Sequence, residues 1–206
     1  MLRRPFLFAV LLDAALLMLG GTAHAAAVVG QPAPAFRAAG ADGRPIDLAA
    51  FRGKTVVLEW TNHDCPFVKK HYDSGNLPRL QQEAAAQGVV WLQVVSSAPG
   101  KQGHVDGATA QQLNRQRGAA PAGTVLDPQG AVGKLYGAQT SPHLFVIDAA
   151  GKLVYKGGID SIPSSKADDI AKAQNYVRLA LADVAAGRPV VQASTVPYGC
   201  SIKYGD

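Results

Sequence analysis

Charge is scarce in this chain. Only 17% of its 206 residues are charged against 48% hydrophobic, no tract of one sign occurs, and adjacent basic residues are confined to Arg3-Arg4 and Lys69-Lys70. That pattern excludes a disordered polyelectrolyte and leaves nucleic acid no basic stripe to bind, despite a net charge of +5. Several catalytic signatures are missing too. Gly100-Lys101 lacks the upstream glycine and the following hydroxyl residue of a phosphate loop, and neither His-Glu-x-x-His nor Gly-x-Ser-x-Gly occurs. With no internal repeat, low-complexity tract or linker, the length suits a single globular domain.

The N-terminal apolar run, Phe6 to Leu19, is about 14 residues long and broken by Asp13, short of the ~20 that a membrane-spanning helix needs. Arg3 and Arg4 precede it and Ala23-His24-Ala25 follows it, the layout of a cleaved export signal over residues 1–25. Arg3-Arg4-Pro5-Phe6-Leu7 also fits a twin-arginine pattern, so the export route is open between two systems. The chain is therefore expected in the periplasm or outside the cell, with no stable membrane anchor after cleavage. Loss of Arg3, Arg4 and Asp13 leaves 18 basic and 14 acidic residues, a net charge of +4.

Cysteine is limited to Cys65 and Cys200, both in the exported part. An even count in an oxidising compartment points to pairing, either as a permanent staple or as a transient redox couple. A bond closing a loop of about 135 residues would remove roughly 5 kcal/mol of denatured-chain entropy, so the staple is a serious alternative.

The rest of the chain reads as alternating strands and helices. Val28 to Phe36, with Pro32 and Pro34, is an extended lead-in, and Ala41-Asp42-Gly43-Arg44 is a turn between short strands. Thr55 to Trp60 and Val89 to Val95 are buried strands on either side of one helix expected from Pro66 to about Gln87. A loop from Ser96 to Gly107 leads to a helix over Ala108 to Arg117, a short strand at Thr124 to Asp127, and one or two helical turns at Ala131 to Tyr136. His143 to Asp148 and Lys152 to Lys156 form a hairpin. Ile170, Ala173, Val177, Leu181 and Val184 repeat at helical spacing up to Gly187 and Pro189. The domain is thus expected over residues 26–189, followed by a tail, 190–206, that carries Cys200. This order predicts an α/β fold, a central mixed sheet flanked by helices, with an N-terminal β-hairpin extension.

Several segments carry a family resemblance. Gln31-Pro32-Ala33-Pro34-Ala35-Phe36, Gly53-Lys54, Val56-Val57-Leu58-Glu59-Trp60, Cys65-Pro66 and Ser141-Pro142 resemble the redoxin branch of the thioredoxin superfamily, from about Val29 to Gly187. Asp64-Cys65-Pro66-Phe67-Val68-Lys69-Lys70 and Pro197-Tyr198-Gly199-Cys200-Ser201-Ile202-Lys203-Tyr204 resemble its exported, peroxiredoxin-like group. The resemblance implies a thioredoxin-like fold and a thiol-disulfide redox protein whose reactive thiol is Cys65, at a helix N-terminus that favours the thiolate. Thioredoxins carry a second cysteine three residues on, where this chain has Val68, so Cys200 is the candidate resolving thiol. Peroxiredoxins place Thr or Ser three residues before the reactive cysteine, whereas this chain has Asn62 there and Thr61 one place earlier. No activating arginine is assigned. Substrates would be hydroperoxides or disulfides of other exported proteins, recycled by a thiol electron donor, with no cofactor.

Two further residues follow from the same likeness. Glu59 stands six positions before Cys65, where thioredoxins hold a buried acid that moves protons during exchange, unless it points to solvent. Pro142 is expected to be the fold's cis proline, its backbone facing the thiol. The alternatives are an inert buried Cys65 on a structural scaffold, and a copper(I) carrier using Cys65, His63 and Cys200, with His71 off the helix face. His104 and His143 are read as structural, and Trp60 and Trp91 as core aromatics.

Overall fold

The computed structural model describes residues 26–205; the expected leader, residues 1–25, lies outside them. Strands β1 (Arg37–Gly40), β2 (Pro45–Asp47), β3 (Val56–Trp60), β4 (Val90–Val95), β5 (Gly123–Leu126), β7 (His143–Ile147) and β8 (Leu153–Gly157) build one mixed sheet in the order β2-β1-β5-β4-β3-β7-β8. Strands β6 (Thr140–Ser141) and β9 (Cys200–Ser201) form a separate two-stranded ladder. The helices are α1 (Pro66–Asp73), α2 (Asn76–Ala86), α3 (Gly107–Gln116), α4 (Ala131–Tyr136) and α5 (Tyr176–Ala185).

Burial explains why the valine-rich runs are central. Every residue of β3, β4 and β7 is buried, because helices or chain segments cover both faces. On one face Leu58, Trp60, Leu92 and Phe145 pack with Tyr136 and Val132 of α4 and with Phe36. On the other Val57, Trp91, Leu144 and Tyr155 pack with Leu77 and Leu80 of α2 and with Val177 and Leu181 of α5. Each such side chain contributes roughly 1.5–3 kcal/mol on leaving water. β3 pairs parallel with β4 and antiparallel with β7, setting Glu59 opposite Gln93 and Leu144. The N-terminal hairpin joins the sheet where β1 pairs antiparallel with β5.

Two helices differ from the periodicity. The single helix expected up to Gln87 is split into α1 and α2, because Gly75 adopts φ +70°, ψ 7°, a left-handed geometry that a helix interior cannot include. Pro78 then fits the first turn of α2, where no N–H is needed. The final apolar repeat is likewise divided. Ala167–Lys172 is a 3-10 turn, and α5 starts afresh where the Asn175 side chain accepts from Arg178 N.

Candidate active site

After β3, Thr61 N donates to Val94 O at 3.0 Å and carries the ladder one residue further. The chain then turns tightly: Asp64 N donates to Asn62 Oδ1 at 2.9 Å and Cys65 N to Asn62 O at 3.1 Å. The turn packs closely on the 96–107 loop, since a Cβ at Gly103 would collide with the Asn62 amide. Cys65 is the N-cap of α1 with extended backbone (φ −73°, ψ 124°), and Pro66 takes the next position. Its carbonyl accepts from Val68 N at 3.0 Å and Lys69 N at 2.9 Å, so the sulfur lies at the positive end of the helix.

The tail that carries Cys200 is docked on the domain. β9 pairs antiparallel with β6, Cys200 opposite Ser141 and Ser201 opposite Thr140. Beyond it Ala98 N donates to Lys203 O at 2.8 Å and Tyr204 OH to Ala138 O at 2.8 Å. Close backbone packing holds this stretch in place: a Cβ at Gly199, whose φ is +141°, would collide with the Ser141 carbonyl. The Ser141–Pro142 peptide bond is cis. Cys65 Sγ donates to Ser141 O at 3.1 Å.

Cys65 and Cys200 are thereby side by side, with no bond between them, Cys65 fully buried and Cys200 half-buried. Burial first, then the hydrogen bond to Cys65 and the charge of its sulfur, push the Cys200 thiol up to about 12, with Lys203 acting weakly in the other direction. Cys200 accordingly keeps its proton at neutral pH.

Glu59 is fully buried, which removes the solvent-facing alternative. Tyr72 OH donates to its Oε1 at 2.7 Å, while Trp91 Nε1 at 2.7 Å and Gln81 Nε2 at 3.1 Å donate to Oε2. Gln93 Nε2 donates to Tyr72 OH at 2.7 Å, and the Arg117 guanidinium lies 3.8 Å over the Tyr72 ring. Desolvation raises the Glu59 carboxyl above 4.5, opposed by the Tyr72 bond, the Arg117 charge, and the Trp91 and Gln81 bonds. None of these hydrogen bonds reaches Cys65 or Cys200, so the acid and the thiols occupy separate polar centres. Trp91 is both a core aromatic and a donor. Its network partners escaped sequence reading, although Gln93 in the middle of an otherwise apolar strand was a visible signal.

A second buried cluster fastens α1 to the tail. Lys70 Nζ lies 3.7 Å from Asp160 Oδ2 and donates to Ser164 O at 2.9 Å. His71 sits here rather than at the thiols: Asn76 Nδ2 donates to its Nδ1 at 2.9 Å, which leaves Nε2–H to face Tyr198 OH at 3.3 Å. Burial holds its imidazole down to about 4, with Lys70 adding to the effect and Asp160 opposing it. His143 Nδ1 accepts from Gln139 N at 3.2 Å, and burial, then Lys156, lower it to about 3. His104 Nδ1 lies 3.1 Å from Ser97 O, and His63 Nε2 lies 3.4 Å from Asp64 Oδ2. Among the described residues no group of three or more His, Cys, Asp or Glu side chains is placed to hold a metal ion, so the copper set of Cys65, His63 and Cys200 is not assembled.

A parallel β3-β4-β5 core extended by an antiparallel β7-β8 hairpin, with a Cys-Pro helix start facing a cis proline, defines a thioredoxin-like fold. The redoxin family model matches residues 28–176, and the chain belongs to the redoxin family. It is similar to an uncharacterized conserved protein from Geobacillus kaustophilus, at 26% identity and a TM-score of 0.72, over 86% of this chain and 93% of that one. A hypothetical protein from Sinorhizobium meliloti 1021 is 22% identical with a TM-score of 0.73, over 88% and 97%. A putative thiol:disulfide interchange protein DsbE from Chlorobium tepidum shares the fold at 24% identity and a TM-score of 0.51, over 64% and 85%. None of the curated proteins matches the chain.

Proposed function

We propose that this protein is an exported, peroxiredoxin-like thiol oxidoreductase that cycles between a Cys65, Cys200 dithiol and a Cys65–Cys200 disulfide, at the expense of hydroperoxides or protein disulfides. The observation that carries the reading is the ladder between β6 and β9, which seats the second thiol against the first. With a hydroperoxide, the Cys65 thiolate attacks the terminal oxygen, the O–O bond breaks, and the alkoxide takes a proton to leave as an alcohol. Cys65 becomes a sulfenic acid. Cys200 then attacks that sulfur, the S–S bond forms, and the hydroxyl leaves as water with the Cys200 proton. A disulfide substrate instead gives a mixed disulfide at Cys65, which Cys200 resolves with release of a thiol. Two thiol equivalents from an electron donor restore the dithiol.

The perturbed acidity of Cys200 supports this order. After burial, the two causes that hold its proton are the hydrogen bond to Cys65 and the charge of the Cys65 sulfur. The charge is gone once Cys65 is a neutral sulfenic acid, while burial persists, so Cys200 gives up its proton more readily after the first step than before it. In this reading Pro142 presents the Ser141 carbonyl that holds the Cys65 sulfur, and Glu59 is a proton store beneath α1.

Mass spectrometry before and after stoichiometric peroxide tests the proposal. Loss of two hydrogens, mapped to a Cys65–Cys200 cross-link and reversed by dithiothreitol, is expected. Cys65→Ser should consume no peroxide. Stable added oxygen at Cys65 without a cross-link would remove Cys200 from the resolving role, and an unmodified protein would leave an inert scaffold.

A further inference from the structure

The docked tail creates a problem that the thiol chemistry does not solve: Cys65 has no exposed surface, yet it must meet an oxidant. What holds the tail down lies in the charged cluster on the far side of α1. Tyr198, two residues before Cys200, donates its OH to Asp160 Oδ1 at 2.5 Å and packs its ring edgewise on Phe67 of α1, centroids 5.9 Å apart. The carboxylate is itself fixed from three sides. Ile162 N donates to Oδ1 at 3.1 Å, and Lys70 Nζ and His71 Nε2 each lie 3.7 Å from Oδ2. Lys70 and Asp160 are almost wholly buried, so this is a charged anchor in a low-dielectric site, where losing one partner is costly. Stability alone does not call for it, because apolar residues of similar volume hold such a site as well.

We propose that Asp160, Tyr198 and His71 form a latch that seats the Cys200 strand over Cys65, and that the Cys65 sulfur meets an oxidant only while this latch is open. Tyr198 and Asp160 are positioning residues: they touch neither the sulfurs nor the oxidant, and act through the backbone from Tyr198 to Cys200. Closed, the latch places Cys200 against Cys65 and shields the thiol. Open, it frees the β6 edge and the sulfur together. The chemical meaning of the opening rests on the redox-pair reading above, whereas the latch itself can be measured without it.

The test compares wild type with Tyr198→Phe, which keeps the ring on Phe67 and removes only the hydroxyl. Iodoacetamide alkylation of reduced Cys65 is followed by peptide mass, and hydrogen exchange is followed over the same time. Losing one hydrogen bond to a buried charge should raise the open population, and with it the alkylation rate, roughly ten- to a hundredfold. Amides of residues 198–203 should lose protection while those of β3 and β7 keep theirs, and the rate should be insensitive to low urea. Gly199→Ala, whose added Cβ collides with the Ser141 carbonyl, should force the docked segment off, open the latch with it and so expose Cys65 as well. Equal alkylation rates in wild type and Tyr198→Phe would overturn the latch, as would a rate that rises with urea in step with global unfolding. Exposure by Gly199→Ala alone would assign docking to backbone pairing and also overturn it. If wild type exposes Cys65 as predicted but never forms the Cys65–Cys200 bond, the redox-pair reading fails and the latch stands.

Discussion

Replacing Glu59 with Gln should change not only the stability of the protein but the way that stability depends on pH. The carboxyl is ringed by donors, Tyr72 OH, Trp91 Nε1 and Gln81 Nε2, which favour its ionised form, while complete burial favours the neutral one and is the larger effect. The folded-state pKa is thus raised above the reference 4.5. A raised carboxyl gives its full contribution below the unfolded pKa and loses it as pH rises through the folded value, because the folded state then holds a proton that the unfolded state has released. Glutamine has nearly the shape of the protonated acid and cannot titrate. Below about pH 4.5 the two proteins should therefore differ by a constant amount. Above it wild type should lose ground to Glu59→Gln, by at most ~1.4 kcal/mol per pH unit, until the folded pKa is passed and the difference flattens. The lowered histidines His71 and His143 are common to both proteins and cancel in the comparison. Urea unfolding of the reduced proteins at half-unit pH steps, followed by the fluorescence of buried Trp60 and Trp91, gives the curve directly. A flat difference would show that donors and desolvation balance at Glu59, and a difference that favours wild type more with rising pH would show that the donors win.

Two other outcomes follow from the same hydrogen-bond map. The imidazole proton signals of His71 and His143, held down to about 4 and about 3, should stay constant in NMR spectra from about pH 8 to about pH 5.5, and a midpoint near 6.5 for either would contradict its burial. Asp127 accepts from Ser96 Oγ at 2.6 Å, Val132 N at 3.2 Å and Gly133 N at 2.9 Å. Asp127→Ala should cost roughly 2–4 kcal/mol in denaturant unfolding, because three buried donors lose their acceptor, and a loss under about 1 kcal/mol would mean that α4 rearranges to satisfy them.

The sheet was legible in the sequence because its central strands are continuous apolar runs: Val56 to Trp60, Val90 to Val95 and His143 to Ile147 stand where the pattern put them. The α1–α2 break was not, since helical spacing continues across Ser74-Gly75 and only the left-handed geometry of Gly75 interrupts it. Cys65 at a helix start could be read from the Cys-Pro pair alone. The docking of Cys200 could not, because the ladder that holds it has two residues per strand and no period. Asp160 was also invisible: it stands in a loop between Ile159 and Ser161, and nothing local shows that Lys70 and Tyr198 converge on it from 90 residues upstream and 38 residues downstream.

Strand β8 ends the sheet on the β7 side, yet it is not left bare. Gly30 N donates to Leu153 O at 2.8 Å and Leu153 N to Gln31 O at 2.9 Å, while Lys156 N donates to Ala193 O and Thr195 N to Lys156 O, each at 3.1 Å. Two segments more than 160 positions apart in the chain thus divide one strand's outer rim between them, the lead-in at its start and the tail at its end. A bare rim is a template for another molecule's backbone. Any event that strips residues 193–195 from it, a protease cut or a shortened chain, would therefore convert a covered sheet edge into a seed for intermolecular pairing. During synthesis the same rim stays half uncovered for the roughly 40 residues that separate β8 from its second cover, an interval of a few seconds at ordinary elongation rates in which self-association competes with folding.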